Sequence, residues 1–246
     1  MRILVIQHDD DTPLGSLEAP LRAAGAEIER WPAQRVPAPP RSLTEYDGVI
    51  VLGGVAHPDQ DAEHPWLTAE RGVIREAVER QVPTLGICLG GQLLAQAAGG
   101  SAAATERTEV GWRTVERTPA AVDDELFGGF PDSFETFEWH YYRFELPAGA
   151  VLLARNENAP QAYRVGVSAW GTQFHIEAPG ATIAEWFTMA ADEARSKGTD
   201  PEAEIAITPS KDPAHVALAE DLARRFGIVV ARYAGERNLA SPARTS

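Results

Sequence analysis

The chain has a single cysteine, Cys88, set in Gly86-Ile87-Cys88-Leu89-Gly90-Gly91-Gln92. The apolar run before it, residues 82–87, reads as a buried strand, and residues 91–98 read as the start of a helix. A thiol is thereby placed on a sharp strand-to-helix turn with a glycine two residues to either side, the pattern of a nucleophile elbow. Glycine is about 7% of average sequence, so glycines at both flanking positions arise by chance beside a given cysteine roughly 0.5% of the time. The turn forces its nucleophile into a strained backbone, and Gly86 and Gly90 are the residues that avoid a clash there. A helix N-terminus offers free N–H groups and a dipole that favour a thiolate, and the Leu89 N–H points where an oxyanion would develop.

A thiolate nucleophile needs a base, and the base needs an orienter. Of six histidines, His175 is set apart by Gln173-Phe174-His175-Ile176-Glu177, in which residues 173–175 read as a strand entering the core. Residues i and i+2 of a strand share a face, so Glu177 is placed to fix the imidazole tautomer while His175 faces the thiol. Pro179-Gly180 ends that strand and puts the pair at its C-terminal edge, where sites of open α/β sheets lie.

With these residues in hand, the chain resembles class I (triad-type) glutamine amidotransferases, in particular stand-alone domains similar to the amidotransferase half of GMP synthase. Four segments carry the resemblance: Tyr46-Asp47-Gly48-Val49-Ile50-Val51-Leu52-Gly53-Gly54, the elbow around Cys88, Glu138-Trp139-His140, and Gln173 to Glu177. Their order and spacing match across roughly residues 1–190. The resemblance implies Cys88 as nucleophile, His175 as general base and then acid, and Glu177 as orienter. It implies a second oxyanion donor from Gly53 or Gly54, and it puts Gln92 where the substrate glutamine is held. His140, Tyr141 and Tyr142 fall in the segment that approaches the amino-acid end of the substrate. The implied reaction is attack of the thiolate on a side-chain amide, release of ammonia, and hydrolysis of a γ-glutamyl thioester. The ammonia would pass to a synthetase domain or subunit, and no cofactor is implied.

Three positions depart from the family pattern. Tyr141-Tyr142 stand where Gly-Asp often follows the Trp-His pair. Val55-Ala56-His57 lack a proline usual in that loop. Ile176 replaces a proline that many members carry between the histidine and the glutamate. The tyrosines either close the pocket, stack on a larger γ-glutamyl compound, or pack over their own segment. Two further readings therefore stand beside glutamine hydrolysis: a γ-glutamyl peptidase or hydrolase with the same triad, and a non-catalytic subunit that binds a partner.

The elements that must position these residues follow from hydrophobic pattern. Residues 2–7, 26–31, 48–52 and 83–88 read as strands, and residues 14–25 and 65–81 as helices between them. That alternation predicts an α/β fold with an open, mostly parallel, flavodoxin-like sheet flanked by helices. After Gly99-Gly100 the spans 110–117, 134–139, 151–154, 163–169 and 173–175 read as short strands that complete the sheet. Residues 182–197 read as a helix, 198–212 as a linker, 213–226 as a helix, and 228–233 as a last strand or part of that helical extension. This organisation predicts a catalytic domain over 1–197 and a C-terminal extension over 198–246, its tail from 238 disordered.

The whole chain bounds what remains. Its 246 residues bury a sizeable core, and 44% apolar with 24% charged residues is ordinary globular composition. A net charge of −14, with Lys197 and Lys211 the only lysines, disfavours nucleic acid and anionic membranes as partners. One cysteine excludes an internal disulfide and, with the need for a free thiol, points to a reducing cytoplasm. The first apolar run is too short for a signal peptide or a membrane span. His57, Asp59, Asp61, Glu63 and His64 crowd one stretch, but without a recognised ligand spacing they read as a polar loop before a helix, so no metal is expected. His8-Asp9-Asp10-Asp11 reads as a turn with capping, and Trp66, Trp112 and Trp186 as core or interface.

Overall fold

The computed structural model describes residues 1–240. Arg2–Gln7 (β1), Gly48–Val51 (β3) and Thr84–Ile87 (β4) are apolar runs buried on both faces, as parallel strands covered on two sides must be. With Glu27–Pro32 (β2) and Ala169–Thr172 (β9) they form the parallel half of a nine-stranded sheet of order β2-β1-β3-β4-β9-β8-β7-β5-β6. The remaining strands are Ser101–Arg117 (β5), Ser133–Glu145 (β6), Val151–Arg155 (β7) and Pro160–Val165 (β8), all in antiparallel pairings. The α/β class and the open sheet are as the sequence predicts, with the antiparallel strands added on one side.

Alternation along the strands divides the core into two layers. Ile3, Val5, Ile50 and Leu52 face one side, with Leu14, Leu17 and Leu21 before and within Glu18–Ala23 (α1). Leu4, Ile6, Val49 and Val51 face the other, against Leu67, Ile74 and Ala77 of Trp66–Glu79 (α2) and Leu93 and Leu94 of Leu89–Ala97 (α3). Because β1, β3, β4 and β9 are parallel neighbours, their C-terminal ends share one edge. His8, Gly53, Cys88 and His175 each follow one of those ends within three residues.

Several boundaries differ from the sequence reading. Residues 173–175 are not strand: β9 stops at Thr172, and the His175 N–H leaves the ladder to donate to the Phe137 carbonyl of β6 at 2.8 Å. The expected helix over 182–197 is two helices, Gly180–Met189 (α4) and Ala191–Ser196 (α5), broken where Ala190 leaves the helical region at φ −116°, ψ 32°. From Pro201 onward the expected linker over 198–212 is helical, part of Pro201–Ala240 (α6), which also contains residues 228–233 and carries Pro209 and Pro213 inside it. Proline removes a helix donor and costs about 3 kcal/mol in a helix interior, which is why these two read as breakers. Tertiary anchors outweigh that cost. Glu204 accepts the Trp112 N–H at 3.1 Å, Thr208 accepts the Trp112 indole at 2.9 Å, and Asp212 accepts the Gly180 N–H at 2.6 Å. Ala219, Leu222, Phe226 and Val230 of α6 are buried in the same cluster as β1. Of the tail expected to be disordered, residues 238–240 end α6 and residues 241–246 lie outside the described residues.

Candidate active site

Cys88 is the N-cap of α3 and has φ 52°, ψ −110°, a region that L-residues rarely occupy. Its N–H bonds the Thr172 carbonyl at 2.9 Å, and its carbonyl accepts the Gln92 N–H at 3.0 Å, so both neighbouring elements hold the strain in place. The flanking glycines are forced by close approach. A Cβ on Gly90 would lie 2.1 Å from the Val51 carbonyl oxygen, and one on Gly86 would lie 2.5 Å from the Gly90 carbonyl oxygen. Both obstacles are backbone.

The thiol is buried, 6% exposed, at the base of a cavity of about 400 Å³. Its Sγ lies 3.8 Å from the Trp139 carbonyl oxygen and 3.8 Å from the Gln173 amide nitrogen. Cys88 and His175 both line the cavity, each beside Gly53, and His175 Nδ1 meets Glu177 Oε1 at 2.8 Å. Burial alone would push the imidazole pKa down. The Glu177 carboxylate and the Cys88 sulfur outweigh it and hold the pKa well above the ordinary histidine value. The expected trio is therefore brought together, although residues 173–177 form bends and a turn rather than a strand, with Ala178 N–H returning to the His175 carbonyl at 3.3 Å.

The expected oxyanion groups lie on both sides of the thiol. Leu89 is the first residue of α3, and a Cβ added to Gly53 would stand 2.7 Å from His175 Cε1 and 3.6 Å from Cys88 Cβ. Gly54 and Leu89 line the cavity. Gln92 also lines it, with its amide donating to the Tyr142 carbonyl at 2.9 Å and to Gln173 at 3.3 Å.

His140, Tyr141 and Tyr142 are present in the wall, but on strand β6 rather than a loop, beside a register shift of β5 between Ala104 and Glu109. His140 donates from Nδ1 to the Tyr142 carbonyl, 3.0 Å away. Its Nε2 faces Glu109 at 3.3 Å and Glu138 at 3.2 Å, at ion-pair distance but without hydrogen-bond alignment. Burial works against the charged imidazole, and the two carboxylates overcome it, pushing its pKa up to about 10. Burial also raises the Glu138 carboxyl, whereas at Glu109 burial is outweighed by His140, with help from Asn158 and Asn156, and the carboxyl is lowered. Tyr141 donates to Glu193 at 2.8 Å, and Tyr142 donates to Asp59 at 3.0 Å and stacks on His57 with centroids 4.6 Å apart. Tyr141 is thus tied to α5, and Tyr142 to the loop between β3 and α2.

The "Glutamine amidotransferase class-I" family model matches residues 12–185. The chain belongs to that family. A glutamine-hydrolysing GMP synthase of Thermomicrobium roseum is 37% identical over 134 residues, 53% of this chain and 23% of that protein. A glutamine-hydrolysing GMP synthase subunit from Thermococcus kodakarensis is 37% identical over 102 residues, 40% of this chain and 53% of the relative. The matched segments thus span between about a quarter and just over half of these relatives. Among solved structures, a glutamine amidotransferase of Thermotoga maritima superposes with TM-score 0.84 at 30% identity, covering 92% of this chain and 98% of the other. One from Methylobacillus flagellatus gives 0.79 at 29%, covering 94% of each.

Amidotransferase membership accounts for the elbow and the late His-x-Glu, but three residues around this site are not assigned to it by the sequence. Trp186, expected as core or interface, lines the cavity edge-on to His175 with centroids 5.0 Å apart. Its indole donates to the Asp11 carbonyl at 2.9 Å. His215 of α6 donates from Nε2 to the His175 carbonyl at 3.2 Å, and burial depresses its pKa to about 4. His8, expected in a turn, is buried against Gly53 and Glu70. The stretch from His57 to His64 is divided among separate partners, with Asp61 taken by Arg71 and Thr68. Among the described residues no three His, Cys, Asp or Glu side chains form a metal-holding group, and no helix is long and apolar enough to cross a membrane.

Proposed function

We propose that this amidotransferase hydrolyses the side-chain amide of glutamine through Cys88, giving glutamate and ammonia. The observation that carries the reading is the convergence of Cys88, on a strained helix N-cap that opens into a cavity, with His175 in the same cavity wall and Glu177 2.8 Å from its Nδ1. The Cys88 thiolate attacks the amide carbon, and the oxyanion accepts from the Leu89 N–H and the Gly53–Gly54 loop. His175 gives its proton to the leaving nitrogen as the C–N bond breaks, so ammonia departs and a γ-glutamyl thioester remains. Neutral His175 then takes a proton from water, the hydroxyl adds to the thioester, and the thiolate leaves. Glu177 holds the imidazole orientation and stabilises its charge in both halves. A relative named as a subunit supports transfer of the ammonia to an acceptor chain, and the need for a free thiol fits a reducing, cytoplasmic setting.

One observation favours a second reading, a γ-glutamyl peptidase or hydrolase. Tyr141, Tyr142, His57 and Trp186 make an aromatic rim around a cavity of about 400 Å³, a size within the range of sites that take ligands larger than a single amino acid. The test offers glutamine and a panel of γ-glutamyl amides and dipeptides to the wild type and to Cys88→Ala, with glutamate release measured. Release from glutamine, absent in Cys88→Ala, supports the first reading. Release only from γ-glutamyl peptides moves the protein to the second. Equal release by Cys88→Ala removes both.

A further inference from the structure

His8 follows β1 directly and is 1% exposed, with no place in the cavity wall. Its Nδ1 lies 2.9 Å from the Gly53 carbonyl oxygen, and its Nε2 lies 3.0 and 2.9 Å from the two carboxylate oxygens of Glu70 on α2. The side chains of both His8 and Glu70 are fully buried. The Gly53 carbonyl only accepts, so Nδ1 carries a hydrogen, and against an ionised Glu70 Nε2 carries one too, which makes the ring an imidazolium. A neutral ring would set a lone pair against one of these oxygens. The pKa agrees in direction: burial lowers it, Glu70 more than compensates, and the balance is raised. The next residue holds the far end of the same loop, with Asp9 Oδ2 accepting the Val55 N–H at 3.2 Å.

This pins one peptide unit. The chain has no cis peptide among the described residues, and in a trans peptide the C=O and the following N–H point to opposite sides. The Gly53 carbonyl points away from the cavity, at His8. The Gly54 N–H of the same unit therefore points the other way, and Gly54 lines the cavity with Cys88. No acceptor is bonded to the Gly54 N–H among the described residues. The fit leaves no room for variation, since a Cβ on Gly54 would stand 2.9 Å from His8 Cβ. We infer that His8, seated on Glu70, is a positioning residue that locks the Gly53–Gly54 peptide with the Gly54 N–H, not that of Gly53, as the second oxyanion donor. A cation on the carbonyl also polarises the peptide and makes that N–H a stronger donor. The inference rests on the acyl-transfer reading of Cys88 given above.

The test uses a γ-aldehyde analogue of glutamine, which adds to a thiol to give a tetrahedral thiohemiacetal and so reports oxyanion binding without turnover. His8→Leu leaves the Glu70 carboxylate buried and unpaired, so His8→Leu/Glu70→Met is made beside it; removing both partners avoids an orphaned charge. The clamp predicts that the double variant binds the aldehyde roughly 10²-fold more weakly, the size of losing one oxyanion donor. It predicts that Cys88 is alkylated by iodoacetamide at the wild-type rate, since that reaction needs no oxyanion hole. His8→Asn/Glu70→Met, which keeps a donor near the Nδ1 position and leaves no orphaned carboxylate, restores most of the aldehyde affinity. Wild-type aldehyde affinity in the double variant overturns the clamp. So does a parallel fall in aldehyde binding and alkylation, which would mark a general collapse of the site. Tight aldehyde binding by Cys88→Ala would instead overturn the acyl-transfer reading.

Discussion

At the scale of residues, the chemistry of this site is a matter of which charges are held buried beside it. His8 and His140 each face carboxylates from within the protein, and His175 faces Glu177 and the Cys88 sulfur. His140 gives a pH prediction. Its folded pKa is pushed up to about 10, above the 6.5 of a free histidine, because Glu109 and Glu138 outweigh the opposing effect of burial. Between those values the folded chain holds a proton that the unfolded chain has released. The stabilisation is therefore complete below about pH 6.5 and is lost as pH rises toward 10. Denaturant midpoints measured from pH 7 to 10 should fall for the wild type and fall less steeply for His140→Gln. Cys88, His175 and Glu177 were legible in the sequence because local spacing encodes them. His8 was not, because Glu70 lies 62 positions away and Gly53 lies 45 away. The signal was present in weaker form: a histidine directly after the first strand sits at the active edge of a parallel sheet.

At the scale of elements, the parallel strands were legible because burial on two faces writes a continuous apolar run. The end of β9 was not. Gln173 to Glu177 has strand-like composition but bonds to β8 and β6 through single hydrogen bonds, Gln173 N–H to Gln161 at 2.9 Å among them. The His-x-Glu relation holds all the same, since a turn also brings Nδ1 and Oε1 together at 2.8 Å. The elbow depends more strictly on its elements. Gly90→Ala sets a Cβ against the Val51 backbone of β3, which no side-chain rotation relieves. We expect a loss of about 3 kcal/mol or more, at the upper end for overpacking, read as a shift of the urea midpoint. A midpoint within experimental error of wild type would show that β3 and α3 have freedom to part.

At the scale of the whole molecule, α6 is the main lesson. The family model ends at residue 185, and prolines and charges make the stretch after 197 look like linker. Only tertiary contacts reveal that α6 covers the sheet face beneath β1 and reaches the site through His215. Phe226 is fully buried in that layer. Phe226→Ala should cost about 3–5 kcal/mol, like an aromatic truncation in any core, whereas a loosely attached extension would lose almost nothing in a thermal or urea melt. The proposed function requires Cys88 to act as a nucleophile toward a γ-glutamyl carbonyl. The most direct measurement is covalent capture with a glutamine analogue carrying a diazoketone in place of the side-chain amide, followed by intact mass and peptide mapping. The prediction is one adduct per chain, on Cys88, slowed by competing glutamine or γ-glutamyl peptide and absent in Cys88→Ala. An unmodified chain, or an adduct that forms equally in Cys88→Ala, would contradict it.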